Sequence, residues 1–146
     1  MEYVIKSYEG LGSIRLGMTK EEVRAVMHDE PADYHYFRGP YTDVFEKAGI
    51  YVYYTAENGV CEAIEFVLPT VGVLDGKPIN KVPYFEVKKW LKQLDNELVE
   101  EAFLGAKSYK LSISLYAPEA YAEGQEDWLT EAVMVFRKGY YDILNT

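Results

Sequence analysis

The chain has 146 residues, 49% of them hydrophobic and 27% charged, a length and composition that fit one folded domain (1–146) with a core needing no staples. Its formal charge of −9 and pI of about 4.7 exclude broad contact with nucleic-acid phosphates and disfavour an anionic membrane surface. One cysteine, Cys61, excludes an internal disulfide and agrees with a reducing compartment, so a cytoplasmic protein is expected.

Residues 3–16 read as extended, broken at Gly10 and Gly12. Thr19 and Glu22 then spell a capping box, with Met18 and Val23 as a hydrophobic staple, and Val23, Val26 and Met27 share one helical face. Pro31 ends this helix, and Tyr34 to Arg38 reads as a strand stopped by Gly39-Pro40. Residues 41–47 fit either a loop or a helical turn. Residues 50–55 and 60–67 predict a hairpin around Asn58-Gly59, with Cys61, Ala63 and Glu65 on one face and Ile64 and Phe66 on the other. Residues 69–82 read as a connector, within which the tight-turn signal Asp75-Gly76, flanked by Val73-Leu74 and Ile79, fits a small hairpin.

Pro83 opens a second helix, in which Val87, Trp90, Leu91 and Leu94 repeat on one face until Asp95-Asn96. Residues 98–104 extend that helix or form a strand. Tyr109 to Tyr116 alternates as a strand, and Glu131 to Arg137, apolar on both faces, reads as a central one. The expected class is α+β, with two pseudo-repeated helix-plus-antiparallel-strand halves (1–68 and 83–146). Together the halves would form one curved antiparallel sheet with helices on one face.

Covalent chemistry finds little support in the residue pattern. Cys61, His28 and His35 are the candidates for a nucleophile and base, but Cys61 reads as a mid-strand packing residue. His28-Asp29-Glu30 does not have convergent metal-ligand spacing, and no glycine-rich phosphate cradle is present. No catalytic residue, metal or cofactor is expected, although an enzyme working through carboxylates alone stays open. The segment 117–131 is different: it carries Glu119, Glu123, Glu126, Asp127 and Glu131, and no Lys or Arg occurs between Lys110 and Arg137. Tyr116, Tyr121 and Trp128 are interleaved with these acids. Aromatic anchors ringed by carboxylates suit a basic protein surface, so Tyr116, Tyr121, Glu123, Glu126, Asp127 and Trp128 form the expected binding site.

Gly17-Met18-Thr19-Lys20-Glu21-Glu22-Val23 followed by Pro31 resembles the repeat start of β-lactamase-inhibitor-like domains, a grouping that includes outer-membrane-assembly lipoproteins. The resemblance implies a helix leading into antiparallel strands, often as tandem halves, with proteins bound on the sheet's concave face. Those lipoproteins carry a glycine shortly before the proline, where this chain has Asp29-Glu30. The tail Lys138-Gly139-Tyr140-Tyr141 is similar to that of small bacterial immunity partners of polymorphic toxins. The expected function is a non-enzymatic acidic protein-binding module, an immunity or inhibitor protein against a basic toxin or enzyme. The alternative is a small-molecule-binding domain using a tyrosine-lined sheet face, since the chain has 14 tyrosines. A homodimer is compatible with either.

Overall fold

A computed structural model describes residues 2–28 and 41–142; Pro31, His35 and the strand expected at 34–38 lie outside them. The chain runs β1 (Glu2–Lys6), β2 (Gly10–Leu11), β3 (Ile14–Arg15), α1 (Lys20–Val26), β4 (Thr42–Phe45), β5 (Ile50–Tyr54) and β6 (Cys61–Phe66). It continues with β7 (Val71–Leu74), β8 (Lys77–Pro78), α2 (Tyr84–Leu94), β9 (Val99–Glu101), β10 (Gly105–Ser108), β11 (Ile113–Tyr116) and β12 (Ala132–Phe136). The class is α+β as expected, but the strands divide between two sheets instead of forming one. The larger is antiparallel, in the order β4-β5-β6-β12-β11-β10-β9; the smaller runs β3-β2-β1-β7-β8, with β1 and β7 parallel. The small hairpin inside the connector is present as β7 and β8, the Asp75-Gly76 turn, both residues at positive φ, folding β8 back on β7.

The capping box forms at α1: the Glu22 N–H donates to Thr19 Oγ1 at 3.2 Å, and the Thr19 N–H donates to Glu22 Oε1 at 3.1 Å. On the core face of the large sheet, Ile50, Phe66, Val133, Leu115 and Ala106 make one registered row, and Val52, Ile64, Val135 and Ile113 the next. All are buried, each large side chain contributing about 1.5–3 kcal/mol. Ile5, Leu11, Ile14 and Leu74 of the small sheet, Val23 of α1, and Tyr84, Val87 and Leu91 of α2 close the same core. Gly72 of β7 lets the sheets meet, since a Cβ there would lie 2.2 Å from Phe66 Cζ.

The strand β12 is central, between β6 and β11, as its two apolar faces predict. Two local expectations differ from the structure. Tyr109 to Ser112 is a turn and not strand: Ser112 takes φ +56° and the Leu111 N–H donates to Ser108 Oγ at 3.0 Å, so the local side-chain bond displaces the alternation. At Cys61 a bulge intervenes. Tyr53 faces Ala63 but Tyr54 faces Cys61, so Glu62 is the extra residue. That turns Cys61 into the core beside Tyr54 and away from the face of Ala63. The other face of the sheet carries Tyr51, Glu65, Met134, Ser114 and Lys107 in register, and beside them Tyr140 and Tyr141 pack on Phe136.

Candidate functional site

The acidic segment is tied down along its length. A 3-10 turn at Pro118–Tyr121 follows β11, and the chain then returns along the start of α2. Pro83 caps that helix without a side-chain bond, so its first amide must find an acceptor elsewhere. The acceptor is in the acidic segment: the Tyr84 N–H donates to the Trp128 carbonyl at 2.9 Å, and Pro83 bridges Leu129. The Glu131 N–H donates to the Tyr116 carbonyl at 2.8 Å, and the Glu119 N–H to Glu131 Oε2 at 3.0 Å. Backbone bonds thus hold Trp128 in place before any partner arrives.

Opposite Trp128 stands the end of β6, where the Val67 N–H donates to the Gly49 carbonyl at 2.8 Å. Between these walls lies an open groove of about 500 Å³, lined by Val67, Leu68, Asp127, Trp128, Leu129, Thr130 and Glu131. That volume is in the range of small-ligand clefts. Leu68 and Trp128 are 43% and 44% exposed, a large apolar area left to water. Asp127 is exposed and Glu131 half-buried, giving an apolar slot with two carboxylates. Thr130 is buried, and its hydroxyl has no hydrogen-bond partner.

Of the expected site residues, Asp127 and Trp128 line this groove. Glu123 and Glu126 are exposed on the same segment but are not among the lining residues. Tyr116 is half-exposed at the end of β11, paired in register with Ala132 and Gly105. Tyr121 turns to α2 instead: its hydroxyl lies 2.8 Å from that of Tyr84, and its ring is 5.2 Å from Phe85, with the Lys88 ammonium 5.8 Å away. Sequence reasoning missed Val67, Leu68, Leu129 and Thr130. Leu68 stands between the strand read at 60–67 and the connector read at 69–82, where no local pattern marks it as a lining residue. It also missed Phe103, 73% exposed at φ +62° in the β9–β10 turn and 6.1 Å from the Tyr121 ring.

Cys61 is 1% exposed, and burial pushes its thiol up to about 12, so the thiolate needed for nucleophilic work is suppressed. His28 lies exposed just past α1. Among the described residues no three His, Cys, Asp or Glu side chains gather as metal ligands, and no helix is long and apolar enough to cross a membrane. Compared with protein-family models, with curated proteins and with solved structures, the chain matches none of them.

Proposed function

We propose that the chain is a non-enzymatic module, acting in the cytoplasm, that binds a basic protein and occludes it in the manner of an immunity or inhibitor protein. The observation that carries this reading is the groove. Exposed Trp128 and Leu68 are held apart by backbone hydrogen bonds, with Asp127 and Glu131 in the lining and a net charge of −9 behind them. A rigid aromatic anchor loses little entropy on binding, and surrounding carboxylates speed encounter with a cationic surface. We propose also that the halves are structural pseudo-repeats. In support, α1 precedes β4, β5 and β6, α2 precedes β9, β10 and β11, and β12 lies between the two strand sets.

The test is affinity capture from the source organism at low and high salt, followed by measured binding of the recovered protein. A basic partner is expected whose affinity falls as salt rises and drops at least about 30-fold in Trp128→Ala. Charge reversal at Glu126 and Asp127 should slow association first. A partner that is acidic, or one indifferent to salt and to Trp128→Ala, would defeat the reading, as would failure to retain any protein at low salt.

A further inference from the structure

The groove has a chemistry more specific than negative charge. Its lining brings together three elements: an apolar channel (Val67, Leu68, Leu129), an indole and two carboxylates, with Thr130 buried beside them. Among the described residues neither Asp127 nor Glu131 is held in an ion pair.

We propose that this groove is a subsite for one arginine side chain presented by the partner, an inference that rests on the protein-binding reading above. The three methylenes of arginine are apolar, as are Leu68 and Leu129 of the lining. The flat guanidinium stacks on an indole face while its in-plane N–H groups reach carboxylates, a combination that the compact, strongly hydrated ammonium of lysine does not reproduce. Five donors also serve more than one acceptor, so Asp127 and Glu131 are engaged by one group. Glu131 keeps its bond from the Glu119 amide meanwhile, because a carboxylate accepts at more than one lone pair. Both walls are fixed by main-chain bonds, at Trp128 to Tyr84 and at Val67 to Gly49, so binding orders little of the protein.

The experiment is a titration of the full chain, followed by amide and indole NMR, with Nα-acetyl-arginine amide. Parallel titrations use the lysine analogue and the uncharged, nearly isosteric citrulline analogue. Saturable shifts are expected at the Trp128 indole Nε1–H and at the Leu68, Leu129 and Thr130 amides with arginine. The lysine response should be at least about fivefold weaker, and citrulline should give none. Glu131→Gln keeps an acceptor for the Glu119 amide; it and Asp127→Asn should each weaken the arginine response about three- to tenfold without lowering the melting temperature. Equal responses to citrulline, equal responses to lysine, or shifts that survive Trp128→Ala would overturn the assignment. A basic protein that binds this chain while the arginine probe does not would sink the subsite and leave the protein-binding reading standing. Probe binding with no basic partner would do the reverse.

Discussion

The two helices are fastened to the same core by opposite means. The shorter, α1, buries little apolar surface, with Val23 its one fully buried residue. It is anchored by charge instead: Arg24 donates to both oxygens of Asp43 on β4, at 2.8 and 3.1 Å, and the Tyr54 hydroxyl donates to the same carboxylate at 2.9 Å. The longer, α2, has no such clamp. Tyr84, Val87 and Leu91 go into the core, and its first amide is satisfied by the Trp128 carbonyl. Only α2 is therefore wired to the groove. The difference separates what holds the fold from what shapes the site, two roles that stability data alone would merge.

The largest expected effect lies in the polar anchor. Arg24→Ala leaves a carboxylate whose side chain is 4% exposed, with the Tyr54 hydroxyl still donating to it. An uncompensated buried charge of this kind costs about 3–5 kcal/mol. The paired replacement Arg24→Met with Asp43→Leu should cost less, since it removes the charge along with its partner. Denaturant midpoints check both. A double variant worse than the single one would mean that the pair stabilises α1 beyond satisfying Asp43.

Leu91→Ala should follow at about 2–4 kcal/mol, for a 1% exposed leucine in a closed core. Its distinguishing consequence is at the groove. Loosening α2 relaxes the Tyr84–Trp128 bond, so the Trp128 indole resonance should broaden or move under native conditions. Arg24→Ala, with the greater loss of stability, should leave that resonance in place. A Trp128 signal disturbed equally by both would erase the distinction between the helices.

Alkaline pH probes buried hydroxyls on both sides. Burial raises Tyr84 next to α2, and burial together with the Asp43 charge raises Tyr54 next to α1, each well above the usual tyrosine range of about 10. Cys61 is raised from 9.0 to about 12, chiefly by burial. These groups hold their protons more tightly when folded. The associated stability is thus complete below about pH 9 and is lost as pH climbs, at about 1.4 kcal/mol per pH unit for each group. Chemical denaturation between pH 8 and 11 should show this fall, and Cys61→Ala should flatten it by one group's share. An unchanged slope in Cys61→Ala would show that the thiol ionises as readily in the native state as in the unfolded chain.

How much of this was legible in the sequence follows from how local each signal is. The α1 capping box, the Asn58-Gly59 hairpin, the face of α2 and the central position of β12 are encoded within a few consecutive residues, and all are present. Alternation places Cys61 with Ala63 because it cannot announce a bulge: Tyr54 meets Cys61 across the hairpin while the Cys61 main chain bonds Gly17 and Met18, a segment remote in sequence. The strand at 109–112 was lost to a serine that bonds its own turn. The parallel β1–β7 contact has no local signature at all, so the hairpin at Asp75-Gly76 is legible but its union with β1 in a second sheet is not. In the groove, Asp127 and Trp128 stood out because acids and aromatics cluster in one segment. Leu68 follows β6 and Trp128 precedes β12, strands that are neighbours in the sheet but far apart in sequence, so only folding brings the two residues together.

The smallest expected effect sharpens the helix comparison most directly, because α2 also has an ion pair. Lys92 and Lys88 reach Glu100 on β9 at 2.5 and 3.5 Å, a shorter contact than any in the Arg24–Asp43 clamp. Distance alone would rank it the stronger. Burial reverses that order: Glu100 is solvated, so water competes for its charge, and the bond from Lys92 does no more than hold its carboxyl below the ordinary range. Glu100→Gln should therefore leave the denaturation midpoint unchanged at neutral pH, at low and at physiological salt. As pH drops through the carboxylate range the parent, whose Glu100 is held below its ordinary value, should lose at most slightly more stability than the variant. A measurable loss in Glu100→Gln would mean that α2 leans on charge as α1 does, and the division of labour between the helices would fail at its polar end while surviving at Leu91.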